Sequence, residues 1–91
     1  MAEFLVEVFV SQADPGAAES GARRARAAAD ELTREGMSVR YLRSIFVPED
    51  ETCFYLYEAG SIDAVREAAQ RAALPYVRVV GAVTSPGGGV R

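Results

Sequence analysis

Hydrophobic and polar residues alternate near the start of the chain, in the pattern of a half-buried β-strand. One side of this segment is wholly apolar and the other is mixed: Phe4, Val6, Val8 and Val10 against Glu3, Leu5, Glu7 and Phe9. A period of two residues indicates a strand. The apolar side therefore belongs to the core, and the mixed side needs a separate explanation.

A helical repeat follows the first strand. Small and apolar residues recur at spacings of three and four, at Ala18, Ala22, Ala25, Ala29 and Leu32, which places them on one stripe of a helix. Asp14 is a candidate cap, Pro15 suits the first helical position, and Gly36 suits the helix end. We predict a first helix between these signals.

The second half of the chain repeats the alternation of strand and helix signals. Two strands, Ser38–Val47 and Thr52–Glu58, flank the turn Pro48–Glu51 and are expected to form a hairpin. Ser61 is expected to cap a second helix, whose apolar stripe is Ile62, Val65, Ala69 and Ala72 and which ends at Leu74 and Pro75. Tyr76–Val83 completes the pattern as a fourth strand.

The order β-α-β-β-α-β is typical of the ferredoxin-like α/β plait, an α+β fold. Right-handed crossovers place both helices on one face of a four-stranded antiparallel sheet. We therefore predict a single domain over residues 1–83, followed by a flexible tail over residues 84–91.

Strand parity divides the sheet into a helix-covered face and an open face. The covered face is expected to hold Leu42, Phe46, Phe54, Leu56, Val77 and Val79 with the apolar side of the first strand, under Leu32, Val65 and Leu74. The open face is expected to hold Leu5, Glu7, Phe9, Tyr41, Arg43, Ile45, Cys53, Tyr55, Tyr57, Tyr76, Arg78 and Val80. Such an apolar face favours a homodimer, sheet against sheet, which can also enclose a small-molecule cavity.

Composition narrows the classes of function. The net charge of −3 lacks the basic footprint of nucleic-acid binders. No apolar run approaches membrane-spanning length, and the start of the chain does not resemble a signal peptide, so we expect a cytoplasmic protein that binds neither membrane nor nucleic acid. The chain has one cysteine and no histidine, which excludes an internal disulfide and the Cys-His and Ser-His catalytic pairs.

Three segments resemble a known family: "EFLVEVFV", "VRYLRSIFVPEDETCFYLYEA" and "SIDAVREAAQRAALP". They are similar to small actinobacterial ferredoxin-like proteins described as nickel-binding, a family also classed as a domain of unknown function. The resemblance implies a dimeric plait. Family members often carry Cys at the position of Tyr55 and His at the position of Ala68, so the resemblance offers nickel as an alternative cofactor while we predict no metal ligands here.

The open face supplies the candidates for chemistry. We predict Glu7, Arg43 and Tyr55 as catalytic residues: a desolvated acid/base, a cation for a carboxylate or enolate, and a hydrogen-bond donor. The predicted ligand-binding residues are Phe9, Tyr41, Cys53, Tyr57, Tyr76 and Arg78. The alternatives are a Glu7–Arg43 ion pair at a dimer seam, tyrosines that only pack an interface, and a Cys53 that is a small hydrophobe.

Three functions remain open from the sequence. The first, which we favour, is a small-molecule-binding dimer, as a cofactor-free cyclase or isomerase of a carbonyl compound. The second is a nickel- or other metal-binding protein, as the resemblance implies. The third is a structural or regulatory dimer without catalysis.

Overall fold

The computed structural model describes residues 1–83 and has the predicted order of strands and helices. The predicted tail lies outside these residues. The elements are β1 (Ala2–Phe9), α1 (Gly16–Arg34), β2 (Val39–Val47), β3 (Thr52–Ala59), α2 (Ile62–Arg71) and β4 (Tyr76–Ala82), with one 3₁₀ turn at Pro48–Asp50. Among the described residues, no helix has the length and apolar character needed to cross a bilayer.

The four strands form one antiparallel sheet in the order β2-β3-β1-β4. β1 and β3 occupy the centre, and β2 and β3 form the predicted hairpin. Residues of α1 and α2 share a single core cluster with one face of the sheet, where they pack on Val6, Val8 and their neighbours. The predicted α+β ferredoxin-like class is therefore confirmed.

Both helices end in the same backbone motif. At the end of α1, Met37 N–H donates to Leu32 O and Gly36 N–H donates to Thr33 O, the bonds of a Schellman motif. Gly36 has a φ of 97°, which glycine adopts without the steric cost that a Cβ brings. The predicted end of α1 is confirmed.

The starts of the helices differ from each other. Ser61 Oγ accepts a hydrogen bond from Ala64 N–H at 3.2 Å, so the predicted cap of α2 is confirmed. At α1 the predicted side-chain cap is wrong, because Asp14 accepts from Ala17 N–H through its backbone carbonyl. Pro15 precedes the helix, and its missing N–H costs nothing there.

Both edge strands carry an irregularity. On β2 the pairing with β3 shifts between Tyr41 and Arg43, which leaves Leu42 as an extra residue. On β4 the pairing with β1 shifts so that Glu7 pairs with Arg78 and Val8 pairs with Tyr76, which leaves Val77 out. A bulge reverses the side-chain alternation beyond it.

The core combines small helical residues with large residues from the sheet. The helices contribute Leu32 and Val65 together with many small buried residues, and the largest fully buried side chains of the described chain are Tyr55 and Tyr57. The small helical residues are Ala18, Gly21, Ala25, Ala28, Ala29, Ala64, Ala68 and Ala69. Since interiors pack at nearly constant density, small residues on one layer require large residues on the facing layer. The tyrosines meet that requirement.

The end of α2 generates a stability prediction. Leu74 N–H donates to Ala69 O and Ala73 N–H donates to Gln70 O, as at α1, but Ala73 holds the left-handed position with a φ of 57°. We expect Ala73→Gly to raise the free energy of unfolding by about 1 kcal/mol, since the relief of the left-handed strain exceeds the added entropy of the unfolded chain. Urea denaturation measures the change.

Gly36→Ala is the matched control at the equivalent position of α1, and it should destabilise the protein by a similar amount. Equal free energies of unfolding for the parent and Ala73→Gly would contradict the assignment of strain to Ala73.

Candidate functional site

The register of the strands defines the surface that the helices leave uncovered. Residues paired across neighbouring strands point to the same side of a sheet. The open face, as we use the term, consists of four cross-strand rows: Arg40, Glu58, Glu3 and Ala82; Arg43, Leu56, Leu5 and Val80; Ile45, Phe54, Glu7 and Arg78; and Val47, Thr52 and Phe9. Apolar side chains occupy most of the second, third and fourth rows, with Glu7 among them on the central strand β1. The other charged side chains lie in the first row or on the edge strands β2 and β4.

Four of the predicted site residues lie on this open face. They are Glu7, Phe9, Arg43 and Arg78. Phe9 is 62% exposed. Glu7 and Arg78 are direct cross-strand neighbours, so the structure brings these two predicted residues together.

The prediction is wrong for three residues of β3. Cys53, Tyr55 and Tyr57 pair with Val8, Val6 and Phe4 of β1 and point under the helices, where each is at most 1% exposed. Phe54 and Leu56, predicted on the helix-covered face, point to the open face instead, and Leu56 is buried there at 4% exposed. The residues of β3 are hydrophobic on both faces of the strand, so parity alone could not show which face packs under the helices. Pairing with the apolar side of β1 was the available signal.

Because of the two bulges, the predicted positions of two further tyrosines are wrong. Tyr41 and Arg43 have the same parity in sequence, but the extra residue Leu42 turns Tyr41 towards the core. The extra residue Val77 likewise separates Tyr76, which packs against the core, from Arg78 on the open face. The predictions that Tyr41 and Tyr76 line the open face, and that Leu42 and Val77 lie in the core, are therefore wrong.

Tyr55 is hydrogen-bonded to the first helix. Its hydroxyl donates to the backbone carbonyl of Ala18 at 3.0 Å, 37 residues away in sequence. The ring reaches this carbonyl beneath Gly21, where a Cβ would overlap the Tyr55 hydroxyl. Burial is the main cause that raises the pKa of Tyr55, so the phenol remains a neutral hydrogen-bond donor near neutral pH. This geometry gives Tyr55 a structural role in positioning α1.

Tyr57 lies in the same layer without a partner for its hydroxyl. Its side chain is 0% exposed, and its oxygen forms no hydrogen bond within the described residues. The ring meets Tyr41 edge to face with centroids 5.8 Å apart, and the Arg26 guanidinium lies 5.6 Å from the Tyr41 centroid. These contacts stabilise packing of β2 and β3 under α1.

Glu7 and Arg78 form an ion pair on the open face. Arg78 Nε donates to Glu7 Oε1 at 2.7 Å. The predicted pairing of Glu7 with Arg43 is therefore replaced by pairing with Arg78, on the opposite neighbouring strand. Arg43 is exposed in the next row, beside Leu56. Glu7 is thus already engaged by a cation of its own chain.

A cleft of about 220 Å³ lies between the two helices, away from the open face. Arg24 crosses it, with Nε donating to Ala72 O at 2.8 Å. Arg71, on its other wall, lies 2.6 Å from Glu35 and within ion-pair distance of Glu31 and Glu67. Both guanidiniums are used to join the helices, so the cleft offers no free cation.

Comparison with known proteins identifies the family to which the chain belongs. A family model described as nickel responsive protein SCO4226-like matches residues 4–81. The chain belongs to this SCO4226-like family. Its fold is similar to the crystal structure of SCO4226 from Streptomyces coelicolor A3(2), at 18% identity and a TM-score of 0.59, over 93% of this chain and all of that one. No curated protein matches the chain. The family resemblance expected from the sequence is confirmed.

The donor side chains of this SCO4226-like chain do not fit a nickel site. Nickel favours imidazole and thiolate ligands, and the sequence has no histidine and one cysteine. Within residues 1–83, no three Cys, Asp or Glu residues come together as a metal cluster. The positions at which the resemblance places Cys and His are Tyr55 and Ala68, 1% and 0% exposed and filled by core packing.

The contact between Tyr55 and Gly21 generates a prediction. Gly21→Ala should lower the free energy of unfolding by about 2 kcal/mol, although alanine favours helix, because the new methyl group would displace the phenol. In the Tyr55→Phe background the hydroxyl is gone, so the same substitution should cost less than half as much. A double-mutant cycle by urea denaturation measures the difference.

Ala22→Gly, one residue along α1, provides the control for glycine content. Additive effects of Gly21→Ala and Tyr55→Phe would contradict the proposed contact.

The two buried phenols should respond differently to loss of their hydroxyl groups. Tyr55→Phe removes a buried hydrogen bond and should cost about 1 kcal/mol of unfolding free energy. Tyr57→Phe removes an unpaired buried hydroxyl, so it should be neutral or stabilising by up to about 1 kcal/mol. Parallel urea titrations compare the two variants. A larger loss for Tyr57→Phe than for Tyr55→Phe would refute the assignment of hydrogen bonds.

Proposed function

We propose that this protein acts as a homodimer whose protomers meet through their open faces, and that it serves as a structural or regulatory module of the SCO4226-like family. The supporting observation is a sheet face without helices that exposes apolar side chains together with charged pairs. A second copy of the chain is the occupant that this surface fits.

The apolar part of the open face supplies the attraction. Phe9 is 62% and Ile45 is 50% exposed, and Leu5, Phe54 and Val80 are part-buried. Removal of apolar surface from water favours association roughly in proportion to the area buried. A twofold arrangement brings the same patch of both copies together.

The charges on the open face suit contact with a copy of itself. Three acidic and three basic side chains share the surface: Glu3, Glu7 and Glu58 with Arg40, Arg43 and Arg78. They sum to zero, whereas the whole chain carries −3. Two copies that meet here avoid the repulsion that net charge brings elsewhere on the protein.

The edges of the sheet are unsuited to association. The bulges at Leu42 and Val77 interrupt the ladder on β2 and β4, the two edge strands. Bulges at an edge disfavour the addition of another strand. This favours face-to-face pairing over a sheet continued from one copy to the next.

The size of the face sets the expected strength. Four strands about 4.8 Å apart and about 25 Å long cover on the order of 500 Å². Two such faces bury about 1,000 Å², the lower end of the range for specific interfaces. We therefore expect a reversible dimer that depends on protein concentration.

The cyclase or isomerase hypothesis required Glu7, Arg43 and Tyr55 to lie on one face of the sheet, and they do not. Tyr55 points to the opposite side of the sheet from Glu7, and Glu7 is held by Arg78. The three predicted catalytic residues therefore share no surface. A ligand enclosed between two open faces would meet Arg43 and aliphatic side chains instead of phenols.

Ile45→Arg tests the proposed interface. It places a charge within the apolar part of the open face and should raise the dissociation constant at least about tenfold. Sedimentation equilibrium should then show an average mass that moves from that of a pair towards the 9.8 kDa of one chain. Ala27→Arg, an exposed substitution on α1, is the matched control and should leave the mass unchanged.

The proposal fails if the parent remains a single chain up to high protein concentration. It also fails if Ile45→Arg and Ala27→Arg weaken association equally, because the interface would then lie elsewhere.

A further inference from the structure

The soft donors that nickel prefers are absent or inaccessible in this chain. The sequence has no histidine. Its one thiol, Cys53, is 0% exposed beneath the helices, and burial is the main cause that raises its pKa. Because the thiolate is the ligand form of cysteine, a buried neutral thiol is a poor donor.

Most of the carboxylates are engaged in other contacts. At least seven of the thirteen lie within ion-pair distance of an arginine: Glu7, Glu19, Glu31, Glu35, Glu58, Asp63 and Glu67. At the hairpin tip, Glu51 accepts a hydrogen bond from Gln12 N–H at 3.0 Å. A metal would have to displace these partners. Among the described residues no three donors come together to bind it in exchange.

The rest of the sequence adds no donor of these types. Residues 84–91 read TSPGGGVR and contain no histidine, cysteine, aspartate or glutamate. Pairing of two copies through the open face brings together only residues already counted, and its acidic side chains are matched there by an equal number of arginines.

From these observations we infer that this protein is a nickel-independent member of its nickel-responsive family, with no specific nickel site of its own. This inference does not depend on the proposed dimer, since a second copy adds no histidine and no accessible thiol.

Equilibrium dialysis of the full chain against nickel chloride tests the inference. The parent should retain no saturable nickel with a dissociation constant tighter than about 100 µM. Arg66→His with Gln70→His provides the positive control, because it places two imidazoles four residues apart on the exposed side of α2. That variant should bind nickel with one metal per chain.

Thermal unfolding with and without nickel gives a second readout. A ligand that binds the folded state raises the melting temperature, so nickel should leave the parent unchanged and stabilise the double-histidine variant. Saturable binding by the parent, at one metal per chain or one per pair, overturns the inference. So does a nickel-dependent rise in the parent's melting temperature. Neither result bears on Ile45→Arg, so failure here and failure of the dimer remain distinguishable.

Discussion

Volume complementarity between the helices and the sheet is the constraint on which this structure depends. Apart from Leu32 and Val65, the buried positions of the helices are alanine and glycine, so much of the space beneath them must be filled from the strands. Tyr55 and Tyr57 fill it, and the absence of a side chain at Gly21 lets the Tyr55 hydroxyl reach the Ala18 carbonyl. The contact couples a central strand to the first helix, because neither the phenol nor the glycine fits without the other. Gly21 would ordinarily weaken a helix interior, and here its cost is offset by the packing and the hydrogen bond it permits.

The same constraint determines what the protein can present to its surroundings. Once the phenols are inside, the open face is left with aliphatic and phenylalanine side chains between ion pairs such as Glu7–Arg78. Such a surface has few polar groups directed at a common point, which catalysis on a small molecule would require. It has instead the combination of apolar side chains and paired charges that protein–protein interfaces use. Packing inside the domain thus favours association over chemistry outside it.

The sequence predicted the elements well because each had local signals. The alternation in β1, the Ser61 cap and the Gly36 end gave bounds close to those observed, and the order of elements gave the fold. The site was predicted poorly for two physical reasons. In β3 both sides of the strand are hydrophobic, so period-two analysis could not show that the tyrosines face the alanine-rich helices. In β2 and β4 the bulges at Leu42 and Val77 reverse the alternation, and no residue in those segments signals a bulge. Glu7, Phe9, Arg43 and Arg78 were placed correctly because none of them depends on parity across a bulge.

The contacts that hold the fold of this protein together do not involve metal ligands. The plait is held by Tyr55 under Gly21, by the Arg24 contact with Ala72 and by two Schellman ends, and none of these uses a metal ligand. A chain can therefore have the SCO4226-like fold without imidazole or an accessible thiol. Family membership is then informative about architecture, whereas nickel coordination has to be judged from the donors present. In this chain the positions that the resemblance assigns to Cys and His are occupied by a hydrogen-bonded phenol and a buried methyl group, both of which stabilise the core. A cysteine at position 55 would leave a cavity beneath α1, and a histidine at position 68 would overpack the core, so the two roles compete for the same space.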